Sequence, residues 1–116
     1  MTTVQMQTAV DDLVQLTLEG KWEIAFERYY HEELMKTDLD GILVKGKMAS
    51  IENGRIFASK ISDIRDFSCK GKVVADNRTF IVWSFDFDVA GEPFKVTEVA
   101  IQDWEDGKII RERFFA

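Results

Sequence analysis

The chain holds a single cysteine, a single proline and a single histidine, and each scarcity removes a class of explanation. Cys69 has no partner for an internal disulfide, and its alternation with Phe67 in a strand-like run reads as a buried structural thiol, not a nucleophile. One histidine, His31, and one cysteine cannot supply a zinc site. A lone proline among 46% hydrophobic and 31% charged residues is the composition of a globular domain and leaves no segment that reads as a linker. Basic residues are the minority, 15 Lys and Arg against 21 Asp and Glu. The resulting net charge of -6 argues against nucleic-acid phosphates and membrane surfaces as partners. No apolar run approaches the ~20 residues of a spanning helix, and MTTVQMQTAV has neither the basic start nor the apolar stretch of a leader. A cytoplasmic location is the expectation.

What is present is one domain's length, residues 1–116, with enough apolar chain to bury a core. Val10, Leu13, Val14 and Thr17 follow helical spacing, and Gly20 stands where that helix stops. Trp22, Phe26, Tyr29 and Tyr30 predict a second helix with an aromatic stripe, ended by His31, Glu32 and Glu33. A turn at Asp40-Gly41 joins two short runs, Leu34 to Asp38 and Ile42 to Val44. After Gly46 the spacing of Ile51, Gly54, Ala58 and Ile61 predicts a third helix, with a glycine inside it that implies close packing.

Beyond Ser62 the period changes to two. Thr79, Ile81, Trp83, Phe85, Phe87 and Val89 share one face of a long strand that follows a turn at Asp76-Asn77. Gly91 to Pro93 breaks the chain, Val96 to Trp104 forms a further strand, and Asp106-Gly107 turns it into Ile109 to Phe115. Helices first and an antiparallel sheet second make an α+β fold with the helices on one sheet face.

The last hairpin carries the chemistry. Glu98, Ala100, Gln102 and Trp104 share one face, a mixture of charge, amide and indole that suits a polar-dotted pocket wall. The competing reading makes Val99 and Ile101 the core face and leaves Glu98 and Gln102 in water. Asp106-Gly107 also admits two registers. A two-residue turn pairs Glu105 with Lys108 and puts Arg111 and Arg113 on the face of Glu98, whereas a three-residue loop pairs Trp104 with Lys108 and puts Glu112 and Phe114 there. In the first, Glu98 gains an ion pair; in the second, one of two carboxyls holds its proton near neutrality.

Three stretches, LEGKWEIAFERYY, TDLDGILVKGK and above all EVAIQDWEDGKIIRERFFA, resemble the SnoaL-like proteins of the nuclear transport factor 2-like superfamily over nearly the whole chain. The resemblance implies three N-terminal helices packed on a strongly curved antiparallel sheet, cone-shaped with an internal pocket, and a homodimer formed through sheet faces. It favours Glu112 as the recurring acidic position and so the second register. It implies no cofactor.

Measured against the superfamily's activities, the residues fit unevenly. Asp38 falls near the base position of ketosteroid isomerase, but its tyrosine and buried-acid positions align with Leu13 and near Ala100, so the oxyanion donors are missing. Paired pocket histidines, as in scytalone dehydratase, are absent, and an Asp-Arg-Asp relay like that of limonene epoxide hydrolase cannot be placed from spacing. TDLDG resembles the start of a calcium loop, yet the twelfth position is Ala49. A SnoaL-type cyclase needs only one carboxylate to take a proton from carbon beside carbonyls, and Asp38, Glu98 and Glu112 are the candidates. Trp22, Phe26, Tyr30, Gln102 and Trp104 are the expected ligand-binding walls. The expected partner is a small, largely apolar molecule carrying a polar group, such as a carbonyl compound, in a cavity of about 300 Å³ or more. The alternative is a non-catalytic interaction module whose cone is filled by its own side chains.

Overall fold

In the computed structural model, which describes all 116 residues, the chain opens on helix α1 (Thr3–Leu18). Thr2 accepts a hydrogen bond from the Gln5 backbone N–H while the Gln5 side chain accepts from the Thr2 N–H, so two of the helix's orphan donors are satisfied reciprocally. Met6, Ala9, Val10, Leu13, Val14 and Leu16 form its buried stripe. Gly20, at φ +78, makes the left-handed turn into α2 (Trp22–Tyr29).

Strand β1 (Tyr30–Thr37) follows α2 without a loop. The aromatic spacing predicts helix through Tyr30, but Tyr30 is extended, with φ -103 and ψ 137. Its backbone position is set by pairing with Ile109 and its ring by a bond to Glu112, long-range contacts that outweigh the local period. The predicted stop at His31 to Glu33 is therefore strand, and His31 Nδ1 accepts the Glu33 N–H at 3.0 Å.

Strand β2 (Leu43–Lys45) and helix α3 (Lys47–Ser59) come next. Helix α3 buries only Lys47, Ser50 and Ile51, while Ile61, expected to end it, begins β3 (Ile61–Ala75). The turns at Asp76-Asn77 and Ala90-Gly91 lead into β4 (Arg78–Val89) and β5 (Glu92–Glu105). Strand β5 begins ahead of the expected Val96. Pro93 is accommodated because β6 (Lys108–Phe115) reaches only to Val99, leaving this part of β5 with a neighbour on one side alone.

The six strands form one sheet in the order β2-β1-β6-β5-β4-β3. It is mixed, not wholly antiparallel, because β1 runs parallel to β6. Bulges in β3 and at the β5–β6 pairing bend it around the helices. Its concave face, with Ile81, Trp83, Ala100, Trp104 and Ile109, closes on α1 to make the core. The opposite face carries Phe80, Val82, Val99 and Ile101, half-buried, with Val73 and Phe115 exposed beside them. The reading that put Val99 and Ile101 in the core is thereby reversed. No helix is long and apolar enough to cross a membrane.

Candidate functional site

The hairpin resolves its own ambiguity with a feature that belongs to neither predicted register. Asp106 (φ 53) and Gly107 (φ 77) make a two-residue turn, with Glu105 opposite Lys108. One step later the pairing slips: Trp104 lies opposite Ile109 but Asp103 opposite Arg111, so Ile110 is an extra residue. The slip reverses the parity of β6. Gln102 then faces Glu112 and Ala100 faces Phe114, which puts two carboxyl groups, Glu98 and Glu112, on the concave face. Arg113 goes to the other face and shares Asp103 with Arg78.

Glu112 is 3% exposed and is gripped from two sides. The Tyr30 hydroxyl donates to Oε2 at 2.8 Å, and Gln102 Nε2 donates to the same oxygen at 2.8 Å. Gln102 is held in turn by the Thr79 hydroxyl, which donates to Oε1 at 2.8 Å, and Thr79 accepts the Trp104 indole N–H at 2.9 Å. Glu98, opposite Trp83 on β4, is 7% exposed and receives no side-chain hydrogen bond. Burial above all, and repulsion from Glu112, raise its pKa to about 7, against a smaller opposing pull from Lys36. Burial also raises Glu112, although Lys36, Gln102 and Tyr30 counteract it. The group without donors is thus the better proton holder, and the group with two donors the better anion.

Around these carboxyls lies a cavity of about 170 Å³. Trp22, Phe26 and Tyr30 line one side, with the Trp22 and Phe26 rings nearly perpendicular at 5.9 Å and the Phe26 and Tyr30 rings stacked at 4.1 Å. Trp83, Phe85 and Phe114 complete the apolar wall. Ser50 of α3 also borders the cavity, and its buried hydroxyl has no partner in the protein. Lys36 is the one basic wall residue; its ammonium lies 2.9 Å from Asp38 and 5.3 Å from the centre of the Phe114 ring.

The residues named from sequence therefore separate. Glu98, Glu112, Trp22, Phe26, Tyr30 and Gln102 are brought together at the cavity. Asp38 is not on its wall; it pairs with Lys36 and reaches the carboxyls only through its field. Trp104, expected as a wall, is 5% exposed in the core with its ring against Tyr29, and it borders only a second hollow of about 200 Å³ near the chain start. The cavity is also smaller than the expected ~300 Å³. It is close to the ~150 Å³ known to admit benzene, but it is open to solvent on one side. Lys36 and Thr79 were missed. Thr79 lies on the predicted β4 face, and Lys36 in the predicted run Leu34 to Asp38, where alternation with buried Leu34 was the available signal. No group of three or more His, Cys, Asp or Glu side chains is placed to hold a metal ion.

Comparison with known proteins agrees with this architecture. No curated protein matches the sequence. Among solved structures, a candidate SnoaL-like polyketide cyclase from Mesorhizobium loti is similar at a TM-score of 0.87 and 22% identity, with all of both chains covered. Another from a Jannaschia species has a TM-score of 0.80 at 13% identity, covering 97% of this chain and 85% of that one. A Catenulispora acidiphila protein with a ketosteroid isomerase-like fold, solved with trimethylamine, has a TM-score of 0.76 at 11% identity, covering 93% and 84%. These likenesses establish a shared fold. The SnoaL-like domain family itself matches residues 1–116, and the chain belongs to it.

Proposed function

We propose that the cavity binds a small carbonyl compound and moves a proton at the carbon beside the carbonyl, with Glu98 as the base. The observation that carries this reading is a carboxyl on the cavity wall, buried, free of protein hydrogen bonds and poised at about pH 7. In the forward step the C–H bond breaks, Glu98 takes the proton, and the electron pair delocalises onto the carbonyl oxygen as an enolate. Lys36, the basic wall residue, supplies the counter-charge. Where the substrate carries a β,γ double bond, return of the proton to the γ-carbon of the dienolate is an isomerisation; attack of the enolate carbon on a second carbonyl of the same molecule, with Glu98 returning its proton to the resulting alkoxide, is a cyclisation. The volume accommodates about one ring of the substrate inside the cavity, and the Ser50 hydroxyl is a further donor for its oxygen.

Deuterium exchange into small ketones and 1,3-dicarbonyl compounds, followed by proton NMR, tests this. The wild type should accelerate exchange, Glu98→Gln should lose about 10²–10⁴-fold, and Asp38→Asn should lose far less. A panel with no accelerated exchange, or a Glu98→Gln protein as active as the wild type, sinks the proposal.

A second reading, a non-catalytic module, is favoured by the outer sheet face. Val73, Phe80, Val82, Val99, Ile101 and Phe115 form an apolar stripe whose natural cover is the same stripe of a second copy. Sedimentation should show a dimer that Ile101→Lys dissociates. A wild type that sediments as a monomer removes this assembly.

A further inference from the structure

Trp104 and Thr79 stand outside the cavity, yet hydrogen bonds join both of them to its deepest carboxyl. The direction of that chain is fixed at one end. An indole N–H only donates, so Thr79 Oγ accepts from Trp104, and its own hydrogen goes to Gln102 Oε1, 2.8 Å away. That assignment decides the amide: Nε2 faces Glu112 and donates to Oε2. Flipping the amide would set its carbonyl against a carboxylate and leave the Thr79 hydrogen without its acceptor on Gln102. The Tyr30 hydroxyl, donating to the same oxygen, adds a second bond that favours the anion. Glu98, on the same face of β5, has no such support.

We propose that Trp104 and Thr79 are positioning residues that act through the Gln102 amide to make Glu112 the ionised carboxyl of the pair, leaving Glu98 to carry the exchangeable proton. The other charges acting on the pair are Lys36 from β1 and Asp38 just beyond it. The helices contribute only neutral residues to the cavity, among them Leu13, Thr17, Ala25 and Ser50.

The proposal rests on Glu98 as the cavity's proton carrier, but its test needs no substrate. Carboxyl carbons of ¹³C-glutamate protein are titrated by NMR, with Glu98→Gln and Glu112→Gln providing the assignments. Thr79→Val keeps a β-branched shape and removes the hydroxyl. It should raise the Glu112 midpoint by about one pH unit and lower that of Glu98 by a similar amount, because a protonated neighbour no longer repels it. Thr79→Ser should restore both. Unmoved midpoints, shifts in the same direction, or shifts that serine does not reverse overturn the proposal. If Thr79→Val does not fold, Trp104→Phe is read by the same criteria. In the wild type, the Trp104 indole proton should shift with the Glu112 midpoint, and a flat signal there also overturns the linkage. Opposed midpoint shifts without exchange activity would refute only the proposed reaction; exchange with unmoved midpoints would refute only this proposal.

Discussion

Replacing Glu98 by glutamine should make the protein more stable, and only above a definite pH. In the folded chain this carboxyl is raised from 4.5 to about 7, so folding favours its protonated form. Its contribution to stability is fully present below the unfolded value and is lost as pH rises through about 7. A shift of roughly 2.5 units at about 1.36 kcal/mol each sets an upper bound near 3.4 kcal/mol. The carboxyl borders an open cavity, and discounting for solvent leaves about 2 kcal/mol. Glutamine mimics the neutral acid in shape and does not titrate, while Glu112 is common to both proteins. Urea unfolding at pH 4 and pH 8 should therefore give near-equal stabilities at the lower pH and an advantage of about 2 kcal/mol for Glu98→Gln at the higher. A difference independent of pH, or a wild type that gains on glutamine as pH rises, would refute the burial of an unsupported carboxyl.

Gly54→Ala brings a methyl within 2.9 Å of Trp22 Cζ3 and Cη2, so the ring must move. The ~1 kcal/mol that alanine normally adds to a helix is offset, and indole emission shifts; a full gain with unchanged emission contradicts the contact. Thr2→Ala removes the α1 capping box and should lower stability by about 1 kcal/mol in urea, whereas Thr2→Ser should retain most of it. Tyr30→Phe deletes one of the two donors to Glu112 and should raise that group's NMR midpoint by about one unit, with Glu98→Gln as the background that isolates it.

The parts of this fold legible in sequence are those whose periodicity and burial have the same cause. The alternation from Thr79 to Val89 is visible because one face of β4 meets α1 and the other does not. The concave set Glu98, Ala100, Gln102 and Trp104 is visible for the same reason. Tyr30 was misread because the spacing from Trp22 and Phe26 continues a helical period, while its actual conformation is set by Glu112, 82 residues away. The bulge at Ile110 could not be read from Asp106-Gly107, since turn chemistry specifies the first pair of the hairpin and not the slip that follows. Asp38 stands out in the sequence by its resemblance to the ketosteroid isomerase base position, but its surroundings depend on its ion pair with Lys36 at the end of β1, which the resemblance does not supply. Cavity volume depends on how Trp22 lies over Gly54, a contact between elements that local pattern does not encode.

The contrast between two buried charged residues supports the proposed role of Glu98. Lys47 is 6% exposed, but its ammonium meets the Glu27 carbonyl at 3.3 Å, Glu32 at 3.4 Å and the Glu27 carboxylate at 3.5 Å. Its burial is compensated, and the arrangement anchors the start of α3 to α2 and β1. Glu98 is about equally buried and has no comparable donors, only the distant pull of Lys36 against Glu112 and Asp38. Leaving it so forgoes about 2 kcal/mol of the 5–15 kcal/mol that a domain commands, which a methionine or glutamine could recover. An uncompensated carboxyl is useless for holding strands together, yet it is the state from which a proton can be taken and returned at neutral pH. The neighbouring acid is treated in the opposite way, with the Tyr30 and Gln102 donors bound to a single oxygen. Unequal treatment of two carboxyls on one cavity wall is the division of labour that the proposed proton transfer requires.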